Sequence, residues 1–196
     1  HLPVVWIAMA SGERQGDNVT SGMDVETIMG RISDREVVGF TQELIRIPSV
    51  TGSEGTVAQA FAAACSREGL RVTVRDVDEG RPNVLAVWPG ESERIGLLFH
   101  GHTDTVPLMS MQDPLSAQVA DGYMWGRGTV DQKAGLAAAA MAVFALARGG
   151  VRLKKGVAVV AVVDEESEHR GSAALVEDGL QADCAIVTEA SDLRLL

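Results

Sequence analysis

Residues 97–107 read LLFHGHTDTVP, an apolar run that gives way to two histidines, an aspartate and, at Pro107, a residue that cannot continue a strand ladder. The run reads as a buried strand with its polar residues gathered at the carboxyl end. In open α/β sheets that is the end at which ligands bind. Two later stretches repeat the arrangement. Residues 157–163 are unbroken apolar, the pattern of a strand covered on both faces, and lead into Asp164-Glu165-Glu166. Residues 182–187 read as another interior strand and lead into Thr188-Glu189. A fourth acid, Asp131, stands just ahead of an alanine-rich helix expected over 134–148 and stopped by Gly149-Gly150.

The rest of the chain supplies the layers around such a sheet. Ser33-Asp34-Arg35-Glu36 is a capping box and predicts a helix start, with an apolar stripe that ends at Pro48. A second helix is expected over 54–68, closed by Gly69. Strands are expected over 71–77, 83–88 and 94–99, read as neighbours in the sheet, and Asp121-Gly122 predicts a tight hairpin turn. A short helix fits 172–177. Alternating strands and helices give an α/β class in three layers: a mixed, mostly parallel sheet with helices on both faces. Residues 1–30 are set aside as a leader or non-native extension without order, since 4–10 are similar to the end of a signal peptide but lack a basic segment before them.

Composition narrows the function classes. Seventeen Lys plus Arg against 27 Asp plus Glu give a net charge of −10. A phosphate backbone would be repelled, and no basic stripe offsets this, so nucleic acid is excluded as a partner. No apolar run reaches the roughly 18–20 residues that cross a bilayer, so no membrane partner is expected. Cys65 and Cys184 belong to no CxxC pair and read as buried thiols. Ser49, Ser53 and Ser172 lack a nucleophile-elbow context, and Gly126-Arg127-Gly128 is no phosphate loop.

Carboxylates brought together repel and raise one another's pKa, so the cluster needs a positive charge among them. A divalent ion supplies it. Histidine with Asp and Glu is a nitrogen and oxygen donor set suited to zinc, cobalt or manganese. Asp104 can accept the second ring N–H of His102 and fix its tautomer. Of the neighbours Glu165 and Glu166, one can bind metal while the other faces substrate as a general base. His100 and His169 are assigned no direct role.

The ordered segments GHTDTVP at 101–107, GRGTVDQKAG at 126–135, DEE at 164–166 and TEAS at 188–191 resemble those of the di-zinc exopeptidase and deacylase family. Acetylornithine deacetylase, succinyl-diaminopimelate desuccinylase, aminoacylase and glutamate carboxypeptidase belong to it. The resemblance implies metal-dependent hydrolysis of the amide bond of N-acyl amino acids or small peptides, with two Zn2+ ions, or Co2+ or Mn2+ in their place. It implies a bridging role for Asp131, with His102 and Glu189 completing one metal site and Glu166 serving the other. Glu165 matches the general base, and Asp104 the aspartate that orients the histidine. Family members add a late histidine ligand and a lid domain. Residues 31–196 are thus expected to be the N-terminal part of a catalytic domain, and the alternative function is a truncated, inactive metal-binding remnant. Gln132 stands where the family often has Met, and Glu-Ala-Ser at 189–191 where Glu-Pro-Ser or Glu-Pro-Thr is usual. A homodimer is the candidate assembly of the complete protein. The expected location is the cytoplasm, or outside the cell if residues 1–10 end a signal peptide.

Overall fold

The computed structural model describes residues 6–9 and 24–190. In chain order they form β1 (Trp6–Met9), α1 (Val25–Met29), α2 (Asp34–Arg46), α3 (Gly55–Arg67), β2 (Arg71–Asp78), β3 (Arg81–Trp88) and β4 (Ser92–His102). There follow β5 (Gln118–Ala120), β6 (Tyr123–Trp125), α4 (Lys133–Arg148), β7 (Lys155–Val162), α5 (Arg170–Glu177) and β8 (Cys184–Val187). Local signals set several of these boundaries. The Ser33 hydroxyl accepts the Glu36 N–H at 3.3 Å and Glu36 Oε2 accepts the Ser33 N–H at 2.9 Å, satisfying two donors that the first turn of α2 leaves free. Asp121-Gly122 turns β5 back onto β6, both residues having positive φ.

Six strands share one sheet in the order β1-β8-β4-β7-β3-β2. Its centre, β8-β4-β7, is parallel, and the flanking pairs β1-β8, β7-β3 and β3-β2 are antiparallel. Strand alternation divides the core in two. Val157, Val159 and Ala161 of β7 face a large cluster with Phe40, Phe61 and Leu136 from α2, α3 and α4. Ala158, Val160 and Val162 face the opposite side, where Leu175 of α5 and Leu180 pack. The three-layer mixed α/β architecture expected from the sequence is borne out.

The three early strands are not all neighbours as expected. β2 and β3 form a hairpin, but β7 lies between β3 and β4. A parallel partner for β4 needs a crossover, and α4 provides it, delivering β7 into that place. Within the stretch set aside at 1–30, β1 pairs with β8 from Trp6↔Val187 to Met9↔Cys184, and α1 starts at an Asp24 cap. The remainder of that stretch, 1–5 and 10–23, lies outside the described residues. Cys65 is fully buried, which pushes its thiol up to about 12, whereas Cys184 is only half-buried because β8 lies near the sheet edge.

A buried ion-pair cluster ties the amino-terminal loops to the end of β7. Arg81 donates to both carboxylate oxygens of Glu54, at 2.7 and 2.8 Å, and to Asp164 Oδ1 at 2.6 Å. Glu54 is wholly buried and the Arg81 side chain nearly so. Burial alone would raise the Asp164 carboxyl, but the bond and charge of Arg81 together with the N–H groups of Arg170 and Glu168 outweigh it and hold the group below its ordinary 3.8. The folded state therefore binds fewer protons than the unfolded one in acid. This contribution is complete above pH 3.8 and is lost as the pH falls through the lower folded value. Arg81→Met, which strands two buried carboxylates, should cost about 3–5 kcal/mol at neutral pH in urea unfolding and flatten the loss of stability below pH 4. A variant as stable as the parent, with an unchanged acid limb, would refute this account of the cluster.

Candidate metal centre

Because β8, β4 and β7 lie side by side and point the same way, their carboxyl ends open at one edge of the sheet. His102 is the last residue of β4, Glu165 and Glu166 follow β7, Glu189 follows β8, and Asp131 precedes α4. The His102 Nε2 atom lies 3.0 Å from Asp131 Oδ1, 3.5 Å from Glu189 Oε1 and 3.6 Å from Glu165 Oε2. One donor atom from each of His102, Asp131 and Glu189 falls within 4.8 Å of the others. The imidazole is fully buried while the Asp131 and Glu189 side chains are 53% and 36% exposed. The site thus has a buried nitrogen floor and a carboxylate rim open to solvent.

Behind the imidazole, Nδ1 lies 2.9 Å from the main-chain oxygen of Asp104 and 3.3 Å from its carboxylate. A carbonyl oxygen can only accept, so Nδ1 carries a proton and Nε2 is the atom turned to the acids. The orienting contact therefore runs chiefly to the backbone of Asp104. Its buried carboxylate has further partners: it accepts the Thr51 hydroxyl at 2.9 Å and the N–H groups of Glu165 and Glu166 at 3.0 and 3.1 Å. Burial would raise the Asp104 carboxyl, but His102 and these two amides together bring it below its ordinary value.

The charge balance of the rim favours a cation. Burial alone would make the His102 ring less basic, yet its bonds to Asp104 and Asp131 and the charge of Glu189 lift it to about 10. Desolvation, with the charges of Asp131 and Glu165 adding to it, raises Glu189 despite the bond from Gln132 and the charge of His102. Desolvation and the charge of Asp131 likewise raise Glu166. An imidazole with converging carboxylates is a donor set for a divalent ion of the zinc, cobalt or manganese kind, and such an ion takes the place of the Nε2 proton. The residues present fit the group.

Glu166 is placed differently from the other acids. Its carboxylate accepts the Val106 N–H at 3.3 Å, and it is not in the group of three. His100 turns to the Ser172 hydroxyl at 3.0 Å, and exposed His169 lies 3.7 Å from Glu165. Two neighbours of Asp131 had no role assigned from the sequence. Gln132 is buried between Glu189 and Thr188. Lys133 is buried with its ammonium on the carbonyls of Leu44 and Ile47 at 3.0 and 2.7 Å, capping the end of α2. A lysine opening a helix that is otherwise apolar as far as Ala147 was the available signal.

Residues 98–194 match the profile of Peptidase family M20/M25/M40. The chain carries an M20-family segment. Among curated proteins it is 30% identical over 165 residues to succinyl-diaminopimelate desuccinylase 2 of Ruegeria sp. (strain TM1040), covering 80% of this chain and 42% of that protein. It is also 30% identical over 183 residues to N-formyl-4-amino-5-aminomethyl-2-methylpyrimidine deformylase of Halalkalibacterium halodurans, covering 87% and 43%. The chain thus spans less than half the length of these relatives. Among solved structures, a tripeptidase of Staphylococcus aureus is 27% identical with a TM-score of 0.63, over 80% of this chain and 43% of that one. Human carnosine dipeptidase 1, 21% identical with a TM-score of 0.64 over 78% and 37%, shares the fold.

Zinc at a hundredfold excess over its Kd should stabilise the folded chain by about 2.7 kcal/mol, a rise on the order of 5–10 °C in Tm at this size. His102→Ala should abolish the rise. Equal zinc-dependent shifts in the parent and the variant would place the ion elsewhere.

Proposed function

We propose that His102, Asp131 and Glu189 hold a zinc ion, and that Asp131 shares its carboxylate with a second ion that Glu166 helps to hold. On this reading the whole protein hydrolyses the amide bond of N-acyl amino acids or small peptides. The observation that carries it is the convergence of one imidazole and two carboxylates within 4.8 Å, His102 and Glu189 from the ends of parallel strands and Asp131 from the loop ahead of α4. Relatives named for removing succinyl and formyl groups support an amide substrate. A structural neighbour, a dinuclear metal-binding peptidase of Bacillus subtilis, supports the second ion.

A divalent ion bound there supplies Lewis acidity toward a carbonyl and makes water more acidic. The chain's own residues do the rest. The Nδ1–H of His102, held on the Asp104 carbonyl, keeps Nε2 facing the site. Glu165 reaches the rim with Oε2 3.6 Å from that nitrogen, its side chain 28% exposed and accessible from the mouth. Its carboxylate takes the proton of the attacking water and returns it to the amine that leaves. The N–H bonds from Glu165 and Glu166 to the two oxygens of Asp104 hold the two acids at fixed offsets from the imidazole. They divide the work, one moving protons and its neighbour holding charge.

In the full-length protein, Glu165→Gln should keep the zinc content of the parent while kcat falls by about 10²–10⁴-fold. Release of free amine from N-succinyl, N-acetyl and N-formyl amino acids and from dipeptides is the readout. A Glu165→Gln protein with undiminished turnover would overturn the assignment of the base.

A further inference from the structure

We infer that Gln132 is a positioning residue of the metal centre, its side-chain amide fixing the Glu189 carboxylate in the orientation in which it can hold an ion. The inference rests on the proposed metal-binding role of Glu189.

Glu189 lies beyond the last paired residue of β8. Its side chain is partly exposed and has three rotatable bonds, so sheet geometry alone does not aim it. Gln132 does. The amide is completely buried, with Nε2 2.5 Å from Glu189 Oε1 and Oε1 accepting the Thr188 hydroxyl at 2.7 Å. A carboxylate only accepts, so the end of the amide facing Glu189 must be the NH₂ group, and the Thr188 hydroxyl meets the carbonyl end. The amide can thus satisfy both partners in one orientation only. Thr188 in turn is tied to the sheet: its N–H donates to the His100 carbonyl at 3.0 Å, and its hydroxyl lies 3.2 Å from the same oxygen. Glu189 is therefore referred, through Gln132 and Thr188, to β4, the strand that carries His102.

The space for this bridge is made by two glycines. A Cβ on Gly101 would lie 2.5 Å from Gln132 Oε1 and 2.9 Å from Thr188 Oγ1. One on Gly135 would lie 2.7 Å from the Thr188 carbonyl. Both contacts are closer than side chains tolerate, so the bridge and the two glycines form one arrangement.

The test is zinc affinity of the full chain by competition with a chromophoric chelator, with the visible spectrum of the Co2+ form and Tm measured alongside. Gln132→Met keeps the length but removes the donor, and Thr188 retains the His100 carbonyl as a partner, so the variant should fold. A positioning role predicts that zinc binds about 10–100-fold more weakly, as for other groups that orient metal ligands, and that the Co2+ absorption bands shift. Thr188→Val, which leaves Gln132 in place but frees its carbonyl end, should weaken binding in the same direction by a smaller factor; it decides the matter should Gln132→Met not fold. Zinc affinity within twofold of the parent and an unchanged Co2+ spectrum in the folded variants would overturn the inference and leave the metal centre standing. A parent protein that binds no zinc would overturn both.

Discussion

A single buried carboxylate holds the ends of two strands and a loop in register. Asp104 has no exposure to water, so its charge is tolerable only if its oxygens are met by donors and a positive neighbour. They are: Thr51 from the loop between α2 and α3, the amides of Glu165 and Glu166 after β7, and the imidazole of His102 at the end of β4. Any displacement of one of these elements leaves part of a buried charge unpaired. The geometry at the mouth of the sheet follows from that constraint, because the residues that Asp104 holds are those that carry the histidine and the two glutamates.

The rim is built in the opposite sense. Asp131, Glu165 and Glu189 crowd a single imidazole, and the charges of Asp131 and Glu165 act to raise the Glu189 carboxyl. With the ring protonated, one positive charge stands against three carboxylates. The arrangement is electrostatically incomplete by itself, and the proposed divalent ion would supply the missing positive charge. The interior holds the imidazole rigidly, while the partly exposed acids retain freedom that the proposed ion, and Gln132 in the case of Glu189, would remove.

Much of this was legible in the sequence because the signals are local. The Ser33 capping box, the Asp121-Gly122 turn and the apolar runs that end in acids each need only a few adjacent residues to be read. The strand-end rule pointed to His102 and Glu189, whereas Asp131, which ends no strand, joined them as one metal site through the family resemblance. What stayed hidden depends on distant partners. The insertion of β7 between β3 and β4 is decided by a crossover and by packing on both faces, not by anything within 71–99. The pairing of residues 6–9 with β8 could not be read from so short a stretch. The orienting contact of His102 falls chiefly on a backbone oxygen, which side-chain identity does not reveal. Gln132 was visible only as a departure from the family pattern, since a polar residue gains meaning from the Thr188 and Glu189 groups that the fold brings to it.

The central claim is that His102, Asp131 and Glu189 together hold one divalent ion. Anomalous diffraction at the zinc edge from crystals of the zinc-loaded protein tests it directly. The account predicts a peak bonded to His102 Nε2 and to a carboxylate oxygen from each of Asp131 and Glu189, at about 2.0–2.2 Å. Strong peaks only at other residues, with His102 Nε2 still hydrogen-bonded to Asp131, would contradict it.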